Sequence, residues 1–304
     1  MSRRALIKVD IFTLGNICLL LGWSITAHAG DDLPTKFSNQ GGIINTRHNL
    51  TQNSDTGNIG GTMDPYRNNY GEVCVYCHTP HGANEQVEAP LWNRTLSSAS
   101  YTTYDQLGSS TITSTITAPG PSSVTCLSCH DGTLAVDSIV NMPGSGNYSA
   151  AQKTSQSNTF LNSWTNDGND ATQHLGLNQS GCLDCHSPDG GAAGAFATDF
   201  TAFAIGTDLT NDHPVGILFP GVNENFNAPD FSNPSMAAYD SDFNGKISKG
   251  DIRFYDSGEG YEVECASCHD PHGVPSAGQG SIIYPTFLRI NNEGSTVCLT
   301  CHNK

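Results

Sequence analysis

Cys74-Val-Tyr-Cys77-His78, Cys126-Leu-Ser-Cys129-His130, Cys182-Leu-Asp-Cys185-His186, Cys265-Ala-Ser-Cys268-His269 and Cys298-Leu-Thr-Cys301-His302 are five copies of one frame, Cys-x-x-Cys-His. They use ten of the 11 cysteines, and the eleventh, Cys18, lies in an N-terminal segment that reads as a leader. Two thiols three positions apart can each form a thioether to one vinyl group of a haem, and the adjacent imidazole is then held beneath the iron. Structural disulfides would suit ten cysteines in an oxidising compartment, and paired Cys-x-x-Cys would suit zinc. Neither accounts for a histidine after the second cysteine five times out of five. The frames predict five haem c groups, each with two thioether cysteines and one proximal histidine.

The other histidines extend the reading to reactivity. Of 11 in the chain, His28 falls in the leader and five belong to the frames, leaving His48, His81, His174, His213 and His272. Five irons need five distal ligands, so the counts favour bis-histidine ligation throughout. Met63, Met142 and Met236 are the competing distal ligands; none is needed, and His/His ligation gives lower potentials than Met/His. Iron with both axial positions filled is left with one-electron transfer. The expected class is an electron carrier with no catalytic residues. The alternative is a multihaem oxidoreductase of the nitrite or hydroxylamine type with one open iron. It would show an altered frame or a missing histidine, and neither occurs.

Two of the spare histidines follow a frame directly, as His78-Thr-Pro-His81-Gly82 and His269-Asp-Pro-His272-Gly273. Residues i and i+3 project to similar sides of a helical turn, so both cannot reach opposite faces of one haem. The second should ligate a neighbouring haem. At His186-Ser-Pro-Asp189-Gly190 the extension recurs with Asp in its place. Which spare histidine serves which iron stays open on sequence alone.

The N-terminus reads as a secretory leader, residues 1–29. Arg3, Arg4 and Lys8 precede the mostly apolar stretch Ile11 to Ile25, and Ala27-His28-Ala29 is a small-x-small cleavage site. The Arg-Arg pair also resembles a twin-arginine signal; haem attachment after export favours the general secretory route. Residue 17, before Cys18, is Ile, which does not fit a lipoprotein site. The apolar stretch is too short to span a bilayer. The expectation is an exported protein, in the periplasm or at the cell surface, with no integral membrane segment after cleavage. Residues 30–304 carry 28 acidic and 10 basic side chains, a formal charge of −18. That argues against nucleic acid and anionic membranes as partners.

These 275 residues hold only 50 Leu, Ile, Val and Phe, about 18%. With high net charge, such a composition ordinarily signals disorder. Haems supply the missing apolar bulk, and covalent attachment constrains the unfolded chain as other staples do in small scaffolds. Between frames Gly, Ser, Thr, Asn and Asp dominate, as in Ser97–Ser123 and Ser145–Asp170. The first cysteines are spaced by 52, 56, 83 and 33 residues, an irregular repeat. Short helices are expected at Val124–His130 and Thr296–His302, and hairpin-like strands near Thr111–Thr117 and Ser281–Leu288. One domain, 30–304, is expected. Haems one to three fall in about 30–190, an insertion at about 240–251, and haems four and five in about 252–304.

That insertion reads Asp240-Ser-Asp242-Phe-Asn244-Gly245-Lys246-Ile-Ser248-Lys-Gly-Asp251. Oxygen ligands at loop positions 1, 3, 5, 9 and 12, Gly at 6 and the Lys246 backbone carbonyl at 7 follow the EF-hand calcium loop, with Asp for Glu at 12. The plain alternative is a polar turn in an acidic chain. One Ca2+ is expected here, ordering the segment ahead of Cys265.

Cys-Val-Tyr-Cys-His-Thr-Pro-His-Gly (74–82), Pro-Leu-Trp-Asn-Arg (90–94), Cys-Leu-Ser-Cys-His-Asp-Gly (126–132), Asp-His-Pro-Val (212–215) and Cys-Ala-Ser-Cys-His-Asp-Pro-His-Gly (265–273) resemble the doubled-CXXCH family of exported multihaem cytochromes of metal-reducing bacteria. The resemblance runs from His48 to the C-terminus. It implies a multiheme cytochrome c fold class: mostly coil, with short helices and few strands, wrapped around a stacked haem chain. Implied partners are other redox proteins, namely cytochromes, or extracellular electron acceptors. Some similar members polymerise into nanowire filaments in which a distal histidine can come from the next subunit, so a homopolymer is a further expectation. This chain differs from the tetrahaem and hexahaem filament types in carrying five frames.

Overall fold

Pro121 opens the longest helix among the described residues. Its fixed φ suits the first helical position, where a missing N–H costs nothing. This helix, α1 (Pro121–His130), spans the second frame and stops at Gly132, whose φ is +71°. A Cβ there would lie 2.7 Å from the Leu177 carbonyl oxygen, so the left-handed turn and the close approach both require glycine. In this computed structural model the described residues are 42–51, 66–68, 70–108, 110–141, 158–161, 173–190, 199–274 and 287–303. The expected leader, Met63 and Met142 lie outside them, as does most of Ser145–Asp170.

Among the described residues three further α-helices are short: α2 (Asn158–Leu161), α3 (Cys265–Cys268) and α4 (Thr296–Cys301). The helices expected at Val124–His130 and Thr296–His302 correspond to α1 and α4. In α3 the Glu264 N–H donates to Ser267 Oγ at 2.9 Å, closing the first turn. Among the described residues no helix is long and apolar enough to cross a membrane.

The strands depart from the sequence expectation. A five-stranded antiparallel sheet forms from β1 (Ile217–Leu218), β2 (Phe231–Asn233), β3 (Met236–Ala238), β4 (Arg253–Asp256) and β5 (Tyr261–Val263), in the order β1-β5-β4-β3-β2. Thr111–Thr117 is not a strand; it contributes a single bridge, Ile116 to Ile217. Of Ser281–Leu288 only Phe287 and Leu288 are described, and Leu288 makes one bridge, to His269. Each strand is two to four residues long, too short to show a period of two. Side chains in the turns fix the register instead. Asn233 Oδ1 accepts the Ser235 and Met236 N–H groups at 2.9 and 3.1 Å in the β2–β3 turn. Asp256 Oδ1 accepts those of Gly258 and Gly260 at 2.8 and 3.2 Å in the β4–β5 turn. The expected calcium segment is the β3–β4 connection.

Among the described residues, 20 buried side chains are polar or charged against 17 apolar ones. Eight of the apolar ones gather in two small clusters. Val75, Tyr76, Ile139 and Leu161 pack with Cys77 at the first frame, and Ala237, Tyr239, Ile252 and Phe254 pack with Cys268 and Cys301. Each cluster thus abuts frame cysteines.

Candidate functional site

Every frame is a tight turn. The His78, His186, His269 and His302 N–H groups donate to the carbonyl of their frame's first cysteine at 2.8, 2.9, 3.1 and 2.9 Å. The second frame lies inside α1. One helical turn sets both thiols on one side with the imidazole following, the arrangement two thioethers and an axial bond require.

Three frames are held by a strap of identical wiring, which sequence reasoning missed. Trp92, Leu288 and Phe226 form β-bridges with His78, His269 and His302. The next residue in each strap, Asn93, Arg289 or Asn227, donates its N–H to the second cysteine's carbonyl at 2.8, 2.8 and 2.9 Å. Its side chain then reaches the carbonyl after the first cysteine. Asn93 Nδ2 meets Val75 O at 2.7 Å, Arg289 Nε meets Ala266 O at 3.0 Å and Asn227 Nδ2 meets Leu299 O at 3.1 Å. Pro-Leu-Trp-Asn-Arg was conspicuous in the sequence; the other two straps, Phe226-Asn227 and Leu288-Arg289, carry no such phrase. At the third frame the Phe200 N–H donates to His186 O at 2.7 Å, and the two rings stack at 4.1 Å.

Arg94 joins the first strap to the second frame. Fully buried, it sends Nη2 to Ser128 O and Ala135 O at 2.9 and 2.8 Å, Nη1 to Val136 O at 2.8 Å, and Nε to Ser128 Oγ at 3.2 Å. The second and fourth frames also meet. The Cys265 N–H donates to Ser123 Oγ at 2.9 Å, and Glu264 Oε1 accepts the Gly120 N–H at 3.1 Å. Burial raises the Glu264 carboxyl to about 7.

All ten frame cysteines, Cys74, Cys77, Cys126, Cys129, Cys182, Cys185, Cys265, Cys268, Cys298 and Cys301, are free thiols rather than disulfides. Burial pushes Cys77 and Cys268 up to about 12, and Cys182 and Cys301 up to about 11. A hydrogen bond to Cys265, with burial, raises Cys126. Thiols not tied up in disulfides, each pair followed by an imidazole, are a donor set that fits covalent haem.

The spare histidines divide by position. His48 lies against His130, with ring centres 6.0 Å apart, and His272 against His78 at 6.1 Å. Burial, with His130 and His272 alongside, holds His48 down to about 4, keeping it neutral. His174 binds Asp137 Oδ2 through Nδ1 at 2.7 Å, close to the third frame, where the Cys182 N–H donates to Gly176 O at 3.0 Å. His81 and His213 are exposed. His213 Nδ1 bonds the Pro214 carbonyl at 3.0 Å, and the His81 carbonyl accepts Thr79 Oγ1 at 2.9 Å.

In the β3–β4 loop, one carboxylate oxygen from each of Asp240, Asp242 and Asp251 lies within 4.8 Å of the others. Gly245 has φ +76°, as the sharp turn at loop position 6 requires. Asp251 is buried and accepts the Ser241 and Ser248 N–H groups at 2.9 and 2.6 Å. Asn244 Oδ1 accepts the Lys246 N–H at 2.8 Å, and Ser248 Oγ approaches Asp242 Oδ2 at 3.4 Å.

No curated protein matches the chain. Residues 259–304, which hold the fourth and fifth frames, match the family model described as the doubled CXXCH motif, a motif that indicates covalently bound haem c.

Proposed function

We propose that the chain is a five-haem, bis-histidine electron carrier, exported to the periplasm or cell surface. The observation that carries this reading is that all five frames form the same turn while five further histidines are available as distal ligands. A haem iron supplies reversible one-electron chemistry. The chain's own residues would hold the rings, and Nδ1 bonds fix the tautomers of His48, His78, His130, His174, His213 and His272. With both axial sites filled, substrates have no place on iron. The charge of −18 suits cationic redox partners, and assembly into a conductive filament of copies is part of the same proposal.

Haem counting by the pyridine haemochrome spectrum should give five per chain. The oxidised protein should be low-spin throughout and indifferent to carbon monoxide. A substantial high-spin fraction that binds carbon monoxide would sink the filled-iron reading in favour of an oxidoreductase. Electron microscopy of purified material decides between filaments and single molecules.

The β3–β4 loop is proposed to bind one Ca2+ through Asp240, Asp242, Asn244, the Lys246 carbonyl, Ser248 and Asp251. Three converging carboxylates repel one another without a cation. At a hundredfold excess over its Kd, bound calcium contributes about 2.7 kcal/mol. Chelation should therefore lower the thermal midpoint, calcium should restore it, and Asp251→Asn should remove the difference. An unchanged midpoint in the parent protein would overturn the site.

A further inference from the structure

Two imidazole pairs each join a frame histidine to a spare one. His78 and His272 have ring centres 6.1 Å apart with planes inclined by 11°, and His48 and His130 have centres 6.0 Å apart inclined by 73°. Two imidazoles on opposite sides of one metal, each bonded at about 2 Å with its ring centre ~1.1 Å further out, have centres about 6 Å apart. Aromatic pairs also occur at such separations, so distance alone does not decide.

The outer nitrogens decide. Each of the four rings places Nδ1 against an acceptor: Pro90 O at 2.8 Å for His78, Asp270 Oδ1 at 3.0 Å for His272, Pro271 O at 3.0 Å for His48 and Phe203 O at 2.6 Å for His130. A carbonyl or carboxylate can only accept, so Nδ1 carries the proton and Nε2 keeps its lone pair. A second nitrogen bonded to carbonyl or carboxylate is the usual setting of a metal-bound histidine. In both pairs, moreover, one member belongs to a frame and the other does not.

We propose that His272 is the distal ligand of the iron held by Cys74, Cys77 and His78, and that His48 is the distal ligand of the iron held by Cys126, Cys129 and His130. This rests on the bis-histidine reading above. His272 stands three residues beyond His269, so the fourth frame's extension closes the first frame's iron. His48 hydrogen-bonds Pro271, next to His272, so both pairs are tied to one dipeptide. His81, His174 and His213 remain for the third, fourth and fifth frames.

The test combines ligand removal with haem removal. His272→Ala should make one iron of five high-spin and open to carbon monoxide. In a Cys74→Ala/Cys77→Ala background, His272→Ala should add no high-spin iron, whereas in Cys126→Ala/Cys129→Ala it still should. His48→Ala should behave the other way round. The reverse pattern, or a new high-spin iron in all backgrounds, overturns the pairing. Fewer than five haems or high-spin iron in the parent would instead count against the bis-histidine reading itself.

Electron paramagnetic resonance of the intact five-haem protein gives a second measure should a haem-deleted variant fail to accumulate. Near-parallel imidazole planes split the iron d orbitals and give a rhombic low-spin signal, while near-perpendicular planes leave one broad, large-gmax feature. His272→Met should abolish a rhombic signal and raise one potential; His48→Met should abolish a large-gmax signal. Loss of the opposite signal in either variant overturns the assignment.

Discussion

Replacing all ten frame cysteines by alanine is expected to leave a chain with no cooperative unfolding transition. Ordering one residue's backbone costs about 1–2 kcal/mol, and burying a large aliphatic or aromatic side chain returns about 1.5–3 kcal/mol. The described residues include 17 buried apolar side chains, of which eight form two clusters of four against frame cysteines. Too few side chains are buried to offset the ordering of the loops between them. The cysteine-free chain should lack near-ultraviolet circular dichroism and be digested in one fast phase, while the haem-loaded parent resists. A sharp, calorimetrically two-state transition in the cysteine-free chain would show that packing of the polypeptide alone suffices.

Arg94→Met is expected to be the most damaging single substitution away from the frames. Its guanidinium satisfies the carbonyls of Ser128, Ala135 and Val136 in a fully buried position. Methionine fills much of the volume but offers no donor. A hydrogen bond from a charged donor is worth about 1.5–3 kcal/mol, and an orphaned buried acceptor costs about 1–3 kcal/mol, so the loss should reach ~3 kcal/mol or more. Arg94→Lys should recover little, since an ammonium lacks the planar fork that meets three acceptors at once. The denaturant midpoint, followed by Soret absorbance, checks both variants. A midpoint within the parent's error for Arg94→Met would mean the three carbonyls find other donors.

The sequence exposed the parts of the fold whose chemistry is local. A frame needs two thiols and an imidazole within one turn, so α1 and α4 could be placed from the cysteines alone. The β3–β4 loop was legible because alternate oxygen donors and Gly245 form one contiguous pattern. The sheet was not. Its strands are short, and turn side chains such as Asn233 and Asp256 hold them in place, residues that look like any other polar residue in this chain. The straps were equally hidden, because Asn93, Asn227 and Arg289 act on carbonyls that any residue supplies. Their partners follow from tertiary proximity. The equal counts of frames and spare histidines left open which imidazole would meet which; the proposed pairing rests on ring separations and the direction of each Nδ1 bond, which a sequence does not carry.

The straps and the His48–Pro271 bond also set the order in which a growing chain can close. The first frame's strap follows it within 20 residues and is complete once Arg94 has been made. The fifth frame's strap lies upstream, 72 residues from Leu299 by the Asn227 bond, and waits for the last turn of the chain. His48, by contrast, meets Pro271 across 223 residues. A nascent chain therefore has its local turns long before its ends are joined, and loops of that length close late and slowly. The fourth frame's His-Asp-Pro-His extension is the clasp that shuts the N-terminal half, so truncation before residue 271 should loosen the beginning of the protein as well as its end.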